Sequence, residues 1–238
     1  MKQMKKFKAT FYVIFLLLLC ASLNSCLSVD RKIKLNKDGS GEEIMTISFM
    51  KEFYTMMSSM ASIMDSARKE AFLDSLYSDD IFMNKTKGSY DSIPGIKVSD
   101  IYSKRNPDSS NSFIIKYSFD SISSLGTSLD KAINEDNDSK ISPAIVTLTK
   151  ESDEFVFNYV YEQPASEEMP ENDSLAAQMK TGMSEMFGNG FINFEIEFPY
   201  EIVSSNATST DNRTLKWNFP MSEVFLQSKM KLEARMKE

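Results

Sequence analysis

Residues 27–49 read LSVDRKIKLNKDGSGEEIMTISF. In the first ten, Val29, Arg31, Ile33 and Leu35 alternate with their neighbours at the period of a half-buried strand. Lys37-Asp38-Gly39-Ser40-Gly41 is a turn cluster, and Ile44, Met45, Ile47 and Phe49 resume a strand. The stretch therefore predicts a β-hairpin. The pattern recurs twice. Residues 96–102 and 112–119 flank Asn106-Pro107-Asp108-Ser109-Ser110-Asn111, with Phe113, Ile115, Tyr117 and Phe119 on one strand face. Residues 143–149 and 154–161 flank Lys150-Glu151-Ser152-Asp153, with Phe155, Phe157, Tyr159 and Tyr161 as an aromatic ladder.

Helical periods separate the hairpins. Between residues 50 and 77, Phe53, Met57, Met60, Met64, Ala67 and Ala71 fall on one stripe. Its methionines suit either an adaptable, lipid-accommodating face or a helix packed on a sheet, and gap-filling methionine makes the second the plainer reading. Residues 88–95 read as a loop, and 121–135 as a short helix with Ile122, Leu125, Leu129 and Ile133 inward. Residues 174–187 read as a helix stopped by Gly188-Asn189-Gly190. Strands follow at 191–198, 200–209 and 213–219, and 221–238 reads as a closing amphipathic helix. The order is ββα-ββα-ββα-βββα. It predicts an α+β fold: one curved antiparallel sheet of hairpins packed by helices. Residues 26–238 form a single domain in this reading, or two subdomains divided near 135–142.

The first 26 residues carry the address. Lys2, Lys5, Lys6 and Lys8 precede FYVIFLLLLC at 11–20, and Leu23-Asn24-Ser25-Cys26 follows. A basic head, a short apolar core and a small-residue exit make a signal peptide over 1–25. The strongly apolar run is about half the ~20 residues of a membrane-spanning helix. Leu23-Asn24-Ser25-Cys26 resembles the lipobox of bacterial lipoproteins, which implies cleavage before Cys26 and lipid attachment at that residue. The expected location is the cell envelope, with the lipid anchor as the membrane contact, on the periplasmic face of the outer membrane in preference to the inner membrane.

Composition excludes several functions. Without the four leader lysines, 23 basic residues face 34 acids, a net charge of −11. Such a surface repels nucleic acid. The chain has no histidine and two cysteines, Cys20 in the leader and Cys26 at the lipobox. That removes Ser-His-Asp and Cys-His catalysis and His- or Cys-ligated zinc. Gly39-Ser40-Gly41 and Gly188-Asn189-Gly190 lack nucleotide-loop spacing. No cofactor, metal site or catalytic residue is expected. The carboxylate pairs Glu42/Glu43, Asp79/Asp80, Glu167/Glu168 and Glu195/Glu197 read as wet faces and loops, with Glu195/Glu197 the best-placed pair for a hard cation.

Two further patterns are resemblances. Leu35-Asn36-Lys37-Asp38-Gly39-Ser40-Gly41, Phe198-Pro199-Tyr200-Glu201-Ile202-Val203-Ser204-Ser205-Asn206-Ala207 and Thr214-Leu215-Lys216-Trp217 resemble the LppM-type lipoprotein domain. That implies a tethered α+β domain, related to helix-grip folds, that binds a lipid or glycolipid rather than catalyses. Trp217, the only tryptophan, reads as a core ring or a ligand platform, the core being the plainer reading. Asp-Ser followed by a small or aliphatic residue recurs at Ser66, Ser75, Ser92, Ser121 and Ser174. This resembles the O-glycan acceptor sequence of Bacteroidetes-type bacteria, although Asp-Ser pairs also cap helices and turns. Ser92 is the preferred acceptor. The expected function is a non-catalytic envelope lipoprotein binding a lipid, glycolipid, glycan or envelope protein. A structural or assembly factor using the closing helix as its contact is the alternative, and a carboxylate-dependent glycan hydrolase ranks last.

Overall fold

The computed structural model describes residues 27–61, 69–70, 78–108, 110–133, 144–162, 190–221, 223–224 and 229–238. All three expected hairpins are present: β1 (Leu27–Leu35) with β2 (Gly41–Phe49), β3 (Ile96–Arg105) with β4 (Asn111–Phe119), and β5 (Ile145–Glu151) with β6 (Glu154–Glu162). The first two close on the same turn chemistry. The Asn36 N–H donates to Ser40 O (2.9 Å), and the Asn106 N–H to Ser110 O (2.9 Å). Each serine hydroxyl donates to the aspartate two residues back, Asp38 or Asp108, at 2.6 Å. These hydroxyl bonds, followed by the serine N–H bonds, hold both aspartates below the usual carboxylate range. Asn-x-Asp-x-Ser is thus a turn signature used twice. Gly39 supplies the left-handed residue of the first copy, at φ 82°.

The strands form two sheets, not the single antiparallel sheet expected. One has seven strands in the order β3-β4-β2-β1-β7-β10-β9, and the other has four in the order β5-β6-β11-β8. The later strands are β7 (Phe191–Glu197), β8 (Glu201–Ser205), β9 (Ser209–Asp211), β10 (Thr214–Pro220) and β11 (Lys229–Lys237). β7 runs parallel to β1, with Ser28 opposite Phe191 and Lys34 opposite Glu197. Alternation shows which face of a strand is buried, not which distant strand lies beside it, so β1 and β7 read alike without revealing their pairing. The expected strand over 200–209 is split, since β8 belongs to the small sheet and β9 to the large one.

The closing segment is a second correction. Residues 229–237 are a central strand of the small sheet rather than a helix. Met230, Leu232, Ala234 and Met236 are buried, and Lys229, Lys231, Arg235 and Lys237 are exposed. That is a period of two. The segment's lysine, glutamate, alanine and arginine favour helix in isolation, and burial between β6 and β8 overrides that preference.

Three helices are described: α1 (Lys51–Ala61), α2 (Asp79–Asp91) and α3 (Ser124–Ile133). α2 replaces part of the expected loop, and residues 88–91 are its last turn. The order of the described elements is therefore ββααββα followed by strands. The expected helix at 174–187, the division near 135–142 and most of the methionine stripe beyond Ala61 lie outside the described residues.

The inner face of the large sheet is covered by two different layers. α2 packs on β3 and α3, and α3 on β5. The small sheet covers the β1–β7–β10 region, through Tyr159 against Phe194, Phe157 against Phe198, and Phe155 stacked on Tyr200 at 4.0 Å. α3 approaches β5 so closely that a Cβ at Gly126 would overlap the Ala144 carbonyl. Gly126→Ala is accordingly expected to lose about 1–3 kcal/mol of stability by overpacking, read as a lower urea midpoint at unchanged slope. An unchanged midpoint would show that α3 moves freely against β5.

Candidate functional site

Charge appears where the alternation of β1 and β2 calls for apolar residues. Arg31 lies between the core residues Val29 and Ile33, and Glu43 faces the same interior. Both side chains are 0% exposed. Arg31 Nε donates to Glu43 Oε1 (2.6 Å) and Nη2 to Oε2 (2.8 Å), a bidentate pair. Nη1 donates to the Tyr159 hydroxyl (3.1 Å), and Nη2 also reaches Ser128 Oγ (3.0 Å) and Leu125 O (3.3 Å). The guanidinium lies over the Phe194 ring at 5.1 Å. Tyr117 O–H donates to Glu43 Oε2, and Tyr90 O–H donates to Ser128 O (3.1 Å).

These partners come from β1, β2, β4, β6, β7, α2 and α3, so the pair sits where the large sheet, the small sheet and the helices meet. Burial is the largest effect and disfavours the charged guanidinium, but the Glu43 carboxylate, Tyr159 and Tyr117 together outweigh it and the Arg31 pKa rises. Burial, then the Glu43 charge, raises Tyr90 and Tyr117 far above an ordinary phenol. Burial pushes Tyr159 up to about 12, against the pull of Arg31. Among the described residues the pair makes the inside of the domain an ionic tie between its layers.

The outer face of the large sheet is built differently. Asp30, Asn193 and Asn218 lie side by side across β1, β7 and β10. Asn218 Nδ2 donates to Asn193 Oδ1 (2.5 Å), and Asn193 Nδ2 donates to Asp30 Oδ1 (2.8 Å). An open groove of about 260 Å³ runs over this ladder, with Lys32, Glu195 and Lys216 along it and Thr208 and Ser209 as one wall. Lys216 pairs with Glu195 at 3.1 Å. Each amide is fixed in orientation by the next, while most of the exposed lining of the groove is apolar.

Trp217 is a core ring, 3% exposed. Its indole N–H donates to Asn206 Oδ1 (2.7 Å), which also accepts from the Glu233 N–H (2.8 Å). Asn206 thereby ties β10 of the large sheet to β11 of the small one. Neither the Arg31–Glu43 pair nor the Asn206 bridge was anticipated. The available signal for the first was a single charge of each sign at inward positions of two paired strands.

The other expected residues disperse. Glu42 is exposed while Glu43 is buried. Glu195 and Glu197 pair with Lys216 and Lys34 on the solvent side. Asp79 accepts from Ser103 and Asn111 at the start of α2. Among the described residues no group of histidine, cysteine or carboxylate side chains is gathered to hold a metal ion. Ser92 and Ser121 are exposed, Ser92 Oγ donating to Ser89 O (2.6 Å) and Ser121 sharing a hydrogen bond with Ser123 (2.9 Å). The Asp120 N–H donates to Gly95 O, so both serines lie in adjoining loops. Cys26, Ser66, Ser75, Ser174, Glu167 and Glu168 lie outside the described residues. No helix among the described residues is long and apolar enough to cross a membrane.

No protein-family model and no curated protein matches the chain. Among solved structures, the chain is similar to the folded domain of the Mycobacterium tuberculosis LppM protein, determined by NMR, at 8% identity and a TM-score of 0.43 over 90% of each chain. At that distance no fold, residue, ligand or activity is transferred from it.

Two outcomes test the ionic tie. Glu43→Gln or Arg31→Met alone is expected to cost about 3–5 kcal/mol, because each leaves the other charge buried and unpaired. The double variant Arg31→Met/Glu43→Leu is expected to recover most of that loss in urea unfolding. Additive losses would show that the two side chains act independently. The phenols predict the alkaline limit. Their folded pKa values lie above the ordinary 10.0, so their contribution is complete below about pH 10 and is lost as pH rises through the folded values, about 12 for Tyr159. The phenolate absorbance of Tyr90, Tyr117 and Tyr159 should therefore appear together with unfolding. Ionisation of these three with the fold intact would contradict their placement.

Proposed function

We propose that this chain is a non-catalytic, membrane-tethered envelope protein, acylated at Cys26, whose outer groove binds a polyhydroxylated ligand: a glycan, or the sugar headgroup of a glycolipid. The observation that carries this reading is the ladder Asn218 to Asn193 to Asp30 beneath the groove. Sugar hydroxyls both donate and accept, so they are matched by amide and carboxylate edges held in register. The hydroxyls of Thr208 and Ser209 add the same chemistry from the wall. The space between the sheets is filled by Ile33, Phe157, Phe194, Leu215 and Leu232, each at most 3% exposed. This favours a polar ligand on the outside over an acyl chain within.

The assembly-factor alternative loses its expected contact, because the supposed closing helix is a central strand. A hydrolase reading gains nothing from Glu195 and Glu197, which lie on the same face as adjoining ion-paired side chains. Glycosylation at Ser92 and Ser121 remains part of the proposal, supported by the exposure of both hydroxyls. Loss of a mass increment in Ser92→Ala is its check.

The groove is tested by titrating the full chain with envelope-derived oligosaccharides, in detergent, by calorimetry. Asn193→Ala removes the central amide and is expected to weaken binding roughly tenfold, the value of one or two hydrogen bonds. Equal affinity in the variant, or no binding of any oligosaccharide at millimolar concentration, would refute the groove as a sugar site.

A further inference from the structure

We propose that the end of the domain where β1 begins sits directly on the bilayer, seated by aromatic side chains around the Cys26 attachment point. This rests on the acylation of Cys26. β1 starts at Leu27, so one peptide unit, about 3.8 Å, separates the anchor residue from the sheet. No linker is left to hold the domain away from the membrane.

The end of the sheet thus brought to the surface has a distinct composition. Its last register row is Leu27, Phe49, Asn111 and Arg105, across β1, β2, β4 and β3. The next row includes Lys104, and Phe191 lies opposite Ser28. α1 leaves directly after β2 and sets Phe53 against Phe49, with ring centroids 4.7 Å apart, and Tyr54 edge-on to both. Phe49, Phe53 and Tyr54 are half-buried, and Phe191 is 37% exposed. Lys51, Lys104 and Arg105 are exposed at the same end and form no ion pair among the described residues, and the exposed acids Glu52, Asp80 and Asp108 stand among them, so the end carries no net positive charge. Elsewhere on this acidic protein many exposed lysines and arginines are paired, including Lys34, Lys116, Lys216, Lys229 and Lys237. Aromatic rings suit the headgroup region, which makes this ring cluster the seating contact.

The opposite end carries the Asn36–Ser40 turn, Lys97, Ser92 and Ser121, roughly 30 Å away along nine-residue strands. In this seating the groove is upright, with Asp30 roughly 10 Å above Leu27. That height is within reach of the sugars of a glycolipid in the same leaflet.

The test uses the full chain, processed in a bacterium that acylates lipoproteins and placed in nanodiscs of phosphatidylethanolamine and phosphatidylglycerol. A nitroxide is attached at Glu52→Cys, beside Phe53, or at Lys97→Cys, at the far end. Both positions are exposed, so both variants keep the packing intact. The expected result is a several-fold higher ratio of oxygen to nickel-chelate accessibility at 52 than at 97. Equal ratios on a chain whose Cys26 is acylated by mass spectrometry would overturn the seating while leaving the anchor in place. A difference seen only in native membrane vesicles, and not in pure-lipid nanodiscs, would assign this end to a protein partner and also overturn it. A second nitroxide on Cys26 itself would show that the acylation has failed, and the seating with it.

Discussion

The bidentate pair between Arg31 and Glu43 is the constraint on which the rest of the structure depends. Two charges at 0% exposure are costly to desolvate, and the cost is offset only because every neighbouring layer contributes a partner. Tyr159 comes from the small sheet, Ser128 and the Leu125 carbonyl from α3, and Tyr117 from β4. Register follows from the same pair. A slip of one residue in β1 would turn Lys32 inward and Arg31 to solvent, away from Glu43. An apolar core tolerates small sliding of its layers, whereas a fork of directed hydrogen bonds does not. The pair therefore acts more on which arrangement forms than on how stable it is.

The ionic tie is not the only link between the sheets. Asn206 joins the two sheets a second time, through Trp217 and the Glu233 amide, and leaves Thr208 and Ser209 standing beside the groove. The groove floor is three strands wide and lies on the reverse side of the strands that hold Arg31 and Phe194. Asp30 and Arg31, and Asn193 and Phe194, are neighbours on opposite faces, so the groove floor and the ionic tie share the same strands.

Much of this architecture was legible in local pattern. The three hairpins, α1, α3 and the core position of Trp217 follow from alternation, turn residues and helical stripes. What was not legible is non-local. The parallel pairing of β1 with β7 leaves no mark on either strand. The segment 229–237 combined good helix formers with a period of two, and tertiary burial decided between them. α2 was hidden because Gly88 falls within it and its apolar stripe is weak. Of the candidate site, Glu195 was noted only as half of a carboxylate pair. Asp30, Asn193 and Asn218 are unremarkable in sequence, and become a ladder only once three strands from distant parts of the chain lie side by side.

The central claim is that the Arg31–Glu43 pair binds the two sheets and α3 into one cooperative unit. Native-state hydrogen exchange tests it most directly. Amides of β1, β2, β6 and α3 around the pair should share one opening free energy equal to that of global unfolding, and should lose protection together. A lower, separate opening free energy for α3 or for β6 would mean that a layer detaches while the pair stays intact, and would contradict the account.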